Sequence, residues 1–397
     1  FSSNKGQDVI YLTGNSLGLQ PWKTEEYVKE ELRLWADYAV RAHFESKNPW
    51  YSYHETVQPG LAKIVGAQPH EVVAMTSLTT NLHLMMVSFY QPEGKRKKIL
   101  MEDNAFPSDR FAVESQIAYH GNDPKTDLIA IKPGKGEELI REEDIFEQID
   151  KHGDEIALVV LGNVNFLTGQ AFDMKAITSA AHKKGILVGF DLAHGVGNLS
   201  LQLHDDGPDF AVWCSYKYLN GGPGTVAGLF VHDRHAKRKQ ELKRFCGWWG
   251  HNKNTRFKMD KSLDLMEGAE GWQLSNAPIL QMAALRASLA IFDNAGMDRI
   301  GQKRDQLTGY LYKLLEALPK NFCTIITPSD PKRRGTQLSL KLNLKGEAQA
   351  VMDQFNDKGV ICDFREPGIV RASPAPLYSR YKDVHDFVEI LRGFADA

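Results

Sequence analysis

Short apolar runs separated by longer amphipathic stretches dominate the first two thirds of the chain. Lys98 to Met101, Leu128 to Ile131, Ile156 to Leu161, Ile186 to Phe190 and Phe210 to Cys214 each read as a strand buried on both faces, because runs this short find complete cover only inside a sheet. Between them the period lengthens. Asp173 to Lys184 sets Met174, Ile177, Ala180 and Ala181 at helical spacing, and Gly185 follows as a helix-terminating glycine. Strands alternating with helices in this way predict a mostly parallel sheet covered by helices, an α/β fold. After about residue 280 the pattern changes. Ile279 to Asn294 and Gly301 to Leu318 are long amphipathic stretches, Gln337 to Leu342 alternates, and a last helix is expected after Lys382. These elements predict a smaller α+β domain. The division expected is an N-terminal segment over 1–45, with a helix over Thr24 to Tyr38 packed on the smaller domain, a large domain over 46–280 and a small one over 281–397.

Composition narrows the function more than the fold. A length of 397 residues suits two or three domains. With 48 Lys plus Arg against 50 Asp plus Glu the net charge is -2, so no global positive field exists to hold a nucleic acid or an acidic membrane. No apolar run approaches the roughly 18 residues that span a bilayer. The densest charge run, Lys95 to Lys98, reads as a solvated loop before a strand. Four cysteines, Cys214, Cys246, Cys323 and Cys362, are scattered without paired spacing, which argues against a disulfide framework or a cysteine zinc site and points to a reducing, cytoplasmic setting. The chain starts at Phe1, and any targeting segment ahead of it is unread.

The chemistry gathers at strand ends. Asp191, in Gly189-Phe190-Asp191-Leu192-Ala193-His194, closes an apolar strand, the place where ligands bind in open α/β sheets. Capping of the next turn would also account for it. Lys217 follows another apolar strand in Trp213-Cys214-Ser215-Tyr216-Lys217-Tyr218 and precedes Asn220-Gly221-Gly222-Pro223-Gly224. A lysine in a cleft, partly desolvated, supplies a free amine for a Schiff base. The pair suits pyridoxal 5'-phosphate, which needs a lysine on its aldehyde and an anion keeping its ring nitrogen protonated. Thr76-Ser77-Leu78-Thr79-Thr80-Asn81 stands before the helical stretch Leu82 to Tyr90 and offers hydroxyls and free N–H groups to a phosphate, although helix capping alone needs the same residues. Phe106, in Phe106-Pro107-Ser108-Asp109, stands at a further strand end, where a ring could stack on a pyridine or simply fill core.

Taken with Gly247-Trp248-Trp249-Gly250-His251 and Ser275-Asn276, and running from Gly14-Asn15-Ser16-Leu17-Gly18 to Arg371-Ala372-Ser373-Pro374-Ala375-Pro376-Leu377-Tyr378, these motifs resemble the kynureninase family in order and spacing. The resemblance implies an aspartate aminotransferase-like fold with a large, mostly parallel seven-stranded sheet, and a homodimer with active sites at the subunit interface. It makes Lys217 the Schiff-base lysine, Asp191 the partner of the pyridine nitrogen, Phe106 the stacking ring and His194 a neighbour of both. Thr79 and Tyr216 would hold phosphate beside Leu78, Pro107, Ser108 and Asp109, with Trp248 and Asn276 reaching in from the other subunit. Tyr216 is also a candidate proton relay. Arg371, helped by Asn15 or Ser16, would grip the substrate carboxylate. The implied reaction is hydrolysis of kynurenine or 3-hydroxykynurenine at the Cβ–Cγ bond. His43, Ser275 and Asn276 resemble the animal and fungal branch, which implies a preference for the 3-hydroxylated substrate.

The chain departs from the family at Gly162, where Ser or Thr is usual near the cofactor's phenolic oxygen, and at Asn163 and Leu167. A water, Asn163 or Asn165 would have to supply that contact. Three other readings were open. A cysteine desulfurase or selenocysteine lyase usually has histidine before the lysine, where this chain has Tyr216. A metal hydrolase built from His182, His194, His204 and Asp191 lacks ligand spacing, so no metal is expected. A non-catalytic binding protein would have no need of Lys217, Asp191 and Arg371 together.

Overall fold

The computed structural model describes residues 9–235, 242–259, 261–342, 348–366 and 368–395. Seven strands form one sheet, in spatial order Val72–Ala74, Gly228–Val231, Phe210–Trp213, Leu187–Asp191, Ile156–Gly162, Lys98–Glu102 and Leu128–Ile131. From Phe210–Trp213 to Leu128–Ile131 the neighbours run parallel. Gly228–Val231 runs antiparallel to both of its neighbours. Burial explains why these strands are continuously apolar. Leu100, Val159, Leu161, Val188 and Phe190 belong to a core on one face, while Ile99, Met101, Leu158, Val160 and Val212 belong to the core on the other. Complete burial of such a side chain stabilises by about 1.5–3 kcal/mol. Gly189 is fixed by this packing, since a Cβ there would stand 2.0 Å from Cζ of Phe210.

The smaller sheet is antiparallel, in the order Asp363–Arg365, Ile369–Ala372, Leu338–Leu342 and Cys323–Ile325. Helices Met297–Glu316 and Tyr381–Ala395 close it through Leu307, Leu311, Phe387 and Leu391. The N-terminal segment touches both parts. Its strand Ile10–Tyr11 pairs in parallel with Val360–Ile361, but the helix Thr24–Tyr38 lies on the helix Ile279–Ala295. There the buried Glu31 accepts hydrogen bonds from Nε1 of Trp50 at 2.7 Å and from the Tyr53 hydroxyl at 2.6 Å. Ile279–Ala295 straddles the boundary expected near residue 280, and its Met282, Leu285, Leu289 and Phe292 pack into the core of the large sheet. Among the described residues no helix is long and apolar enough to cross a membrane.

Candidate active site

Three neighbouring parallel strands end in Glu102, Gly162 and Asp191. All three residues line a cavity of about 160 Å³. Asp191 is buried, and its Oδ1 accepts the Ala193 N–H at 2.6 Å, which fixes the carboxylate at the strand end. Two further carboxyls face it. Burial, reinforced by the Asp191 charge and a hydrogen bond to it, pushes Asp109 well above the usual carboxylate range. Burial also pushes Glu102 up to about 7, although hydrogen bonds from Asn165 and the Gly162 N–H pull the other way. Asp109 therefore favours its protonated form beside Asp191, and Glu102 retains a proton at mildly acidic pH.

Lys217 enters from the loop after Phe210–Trp213. Its Nζ stands 5.8 Å from the centroid of the Phe106 ring. The N-terminal motif explains why the loop holds its shape. Gly18 N–H donates to the Tyr216 carbonyl at 2.8 Å, and a Cβ on Gly18 would stand 2.4 Å from the Lys217 carbonyl oxygen. Only glycine allows so close an approach. Asn220, which closes the loop, adopts φ 51°, a left-handed conformation that asparagine tolerates better than most residues.

Two helices point their N-termini at the same space. Leu78–Phe89 begins after Ser77, and Pro107–Tyr119 begins after Phe106 with proline as its first residue. Thr79 Oγ1 and Ser108 Oγ lie 2.8 Å apart, and Leu78, Thr79 and Ser108 all line the cavity. Hydroxyls beside the first N–H groups of two converging helices favour negative charge at this end of the cavity. Phe106 also lines the cavity, 44% exposed, with its ring edge-on to Phe166 at 5.3 Å.

His194 and Tyr216 complete the cavity wall. Burial, with the Lys217 and Arg371 charges, holds His194 well below its ordinary pKa, and its Nδ1 has no hydrogen-bond partner. It is neutral. Burial keeps the Tyr216 hydroxyl protonated far above neutral pH. Arg371 is also buried, but engaged: its guanidinium pairs with Asp363 and donates to the Phe166 carbonyl at 2.7 Å. Asn15 is buried and donates to Gln337 at 3.1 Å, whereas Ser16 is exposed.

Other candidates lie outside this cavity in a single chain. Trp248, His43, Ser275 and Asn276 are absent from its lining, as are Arg371, Asn15, Ser16 and Pro107. Trp248 is 47% exposed and lies edge-on to Phe257 at 5.4 Å. Phe257 in turn contacts Phe44 at 5.9 Å, and Phe44 neighbours the His43 ring at 6.3 Å. Ser275 and Asn276 are exposed. The residues of the rejected metal hydrolase are dispersed, with His182 on Asp209 at 2.9 Å and His204 on Glu71 at 3.0 Å. Two other groups among the described residues have cation-binding donors close together, Glu71 with His204 and His232, and His54 with Glu55 and Glu270. Both lie outside the cavity lining. Sequence reasoning overlooked Glu102, although it closes its strand just as Asp191 does.

A mostly parallel seven-stranded sheet, an antiparallel second sheet and a strand-end cavity holding aspartate and lysine define an α/β protein of the aspartate aminotransferase-like class. Solved structures agree: a cysteine desulfurase from Thermococcus onnurineus superposes with a TM-score of 0.80 at 17% identity, over 98% of this chain and 95% of that one. A cystine C-S lyase superposes with a TM-score of 0.82 at 17% identity, over 98% of each chain. At such identity the likeness concerns fold alone. Residues 46–206 match a model of the DegT/DnrJ/EryC1/StrS aminotransferase family, and residues 300–391 match one of the kynureninase C-terminal domain. A kynureninase from Myxococcus xanthus is 58% identical over 98% of this chain and 91% of its own length, and one from Flavobacterium johnsoniae is 50% identical over 97% and 90%. The chain belongs to the kynureninase family.

Proposed function

We infer that this protein hydrolyses L-kynurenine or 3-hydroxy-L-kynurenine between Cβ and Cγ, releasing L-alanine and anthranilate or 3-hydroxyanthranilate, with pyridoxal 5'-phosphate as cofactor. This is a step of tryptophan catabolism leading towards NAD biosynthesis. The observation that carries the reading is the meeting of Lys217, Asp191 and the Thr79–Ser108 hydroxyl pair in one cavity. Its residues fit the cofactor: unpartnered buried atoms, Oδ1 of Asp109 and Nδ1 of His194, belong to residues lining a space that two helix N-termini make favourable to phosphate. When bound, pyridoxal phosphate supplies an electron sink through its protonated ring.

The residues of this chain do the rest. Lys217 Nζ would hold the cofactor and is the base that would take the substrate Cα proton. The Asp191 carboxylate would hold a proton on the ring nitrogen of the bound cofactor, with Asp109 beside it. Phe106 would cover the bound cofactor and keep water from it. Thr79 and Ser108 orient the phosphate. Neutral His194 adds no competing positive charge beside Asp191. Tyr216, its hydroxyl kept protonated by burial, would pass a proton as the carbon–carbon bond breaks. Arg371, with Asn15, receives the substrate carboxylate.

The active protein is a homodimer in this reading. The exposed cluster of Phe44, Trp248 and Phe257 is the surface that favours it, since exposed aromatic patches mark interaction sites, and Trp248 and Asn276 would then complete the partner's cavity. His43, Ser275 and Asn276 form the polar side that selects for a 3-hydroxyl. The four free cysteines support a reducing, cytoplasmic location.

The test is chemical trapping. Borohydride reduction of the loaded protein followed by peptide mapping should place the cofactor on Lys217, and Lys217→Ala should carry no label and turn over no substrate. Label on another lysine, or normal turnover by the variant, would overturn the assignment.

A further inference from the structure

Three carboxyl groups and one lysine surround the cavity, and one of the carboxyls has no part in the chemistry above. Glu102 is 3% exposed, and its Oε2 accepts a hydrogen bond from Nδ2 of Asn165 at 2.8 Å. Its other oxygen, Oε1, lies 2.9 Å from where a Cβ on Gly162 would stand. Glu102 and Gly162 close strands that lie side by side, and both line the cavity. The space a side chain at 162 would take therefore already holds a carboxyl oxygen. Asn165 is engaged elsewhere, and Asn163, although both its amide atoms lack a partner, is shut away from the cavity. Asn165 gives Nδ2 to Glu102 and Asn104, and its Oδ1 accepts from Leu167 and Thr168. Asn163 is fully buried, its amide lies against Gly195, and it does not line the cavity.

We propose that Glu102 is a cofactor-contacting residue: as a neutral carboxylic acid it donates a hydrogen bond to pyridoxal phosphate at the corner that Gly162 leaves without a hydroxyl. The proposal rests on the function inferred above. The titratable groups lining this cavity with Glu102 are Asp191, the protonated Asp109, Lys217, His194 and Tyr216, with the Asn165 amide and the Gly162 N–H as neutral donors to Glu102. With its affinity for protons raised to about 7, Glu102 retains a proton in mildly acidic to neutral solution. An anionic phosphate in the same cavity strengthens that tendency, because added negative charge disfavours ionisation. Above that range the ionised carboxylate loses its donor and faces Asp191 as a like charge.

The experiment measures affinity for pyridoxal phosphate, by equilibrium dialysis against apoprotein, in the parent, Glu102→Gln, Glu102→Ala and the double variant Glu102→Ala/Gly162→Ser. At about pH 6, Glu102→Ala should bind about tenfold more weakly, the worth of one lost hydrogen bond. The amide of Glu102→Gln still donates, so its affinity should stay within about threefold of the parent. The double variant should recover most of the loss, because serine at 162 returns a hydroxyl to the vacated space. Parent affinity should fall as pH rises past about 7, and Glu102→Gln should show a flatter profile. Parent-like binding by Glu102→Ala would overturn the proposal. So would equal weakening in Glu102→Gln and Glu102→Ala without rescue by serine, the sign of a purely structural role. If Glu102→Ala does not fold, the pH profiles decide alone, and identical profiles in parent and Glu102→Gln refute the donor. Failure of the parent itself to bind the cofactor would instead sink the function on which the proposal rests.

Discussion

Replacing Asp363 with alanine strips the partner from a guanidinium that has almost no access to water. Arg371 is 3% exposed and Asp363 8%, and the two are direct cross-strand partners in the small sheet. The Phe166 carbonyl takes one further N–H of Arg371, while its Nε has no partner at all. Burial already lowers the affinity of this guanidinium for its proton, and the Asp363 charge acts against that. Without the carboxylate the desolvation of Arg371 stands uncompensated, and breaking a buried pair in this way costs about 3–5 kcal/mol. The lower end is expected here, because the second partner of Asp363, Arg365 at 2.9 Å, is 42% exposed in its side chain and is left hydrated. Urea denaturation followed by far-ultraviolet circular dichroism should give a loss of about 3 kcal/mol for Asp363→Ala and a smaller one for Asp363→Asn, which keeps an acceptor. If Arg371 receives the substrate carboxylate, the Michaelis constant for kynurenine should rise at least about tenfold in the alanine variant, from misplacement of the guanidinium. Unchanged stability together with an unchanged Michaelis constant would refute both the pair and the role.

Two further outcomes are expected. Asp209 is buried and accepts from His182, His235, Arg234 and the Val188 N–H; burial alone would raise its pKa, but these donors outweigh it and hold the carboxyl far below the usual range. The stability it gives is therefore present in full above the unfolded value of about 4 and lost progressively as pH falls below it towards the much lower folded value, so Asp209→Asn should lower the melting temperature at neutral pH, with the gap to the parent narrowing steadily below about pH 4; a gap independent of pH would contradict the pairing. His43→Trp should shift the ratio of specificity constants from 3-hydroxykynurenine towards kynurenine, since a site built to hydrogen-bond a hydroxyl discriminates through it; an unchanged ratio would remove His43 from the selecting pocket.

Much of the site was legible because its residues obey a positional rule. Asp191 and Lys217 follow apolar runs long enough to be recognised as central strands, and ligands bind at such ends. Glu102 obeys the same rule but escaped notice, since the run was read as ending at Met101 and a glutamate just past a strand looks like any solvated residue. The strands Val72–Ala74 and Gly228–Val231 were not read individually: with three and four residues each, they carry too little periodicity to separate from a loop. The helix Leu78–Phe89 starts earlier than its apolar pattern, because the polar Thr79, Thr80 and Asn81 occupy its first turns. The Asp363–Arg371 pair depends on hairpin register, which composition does not encode. Trp248, His43, Ser275 and Asn276 stand outside the cavity of one chain, so only family resemblance could nominate them.

The central claim is that the cavity around Lys217 and Asp191 cleaves the Cβ–Cγ bond of a kynurenine. Its most direct measurement is product analysis: purified protein loaded with pyridoxal phosphate is incubated separately with kynurenine and 3-hydroxykynurenine, and alanine and the aromatic acid are quantified together. The account predicts equimolar alanine and anthranilate or 3-hydroxyanthranilate, with the hydroxylated substrate consumed at the higher specificity constant and neither product formed by Lys217→Ala. Absence of alanine from both substrates in a protein that binds the cofactor, or release of sulfide from cysteine in its place, would contradict it.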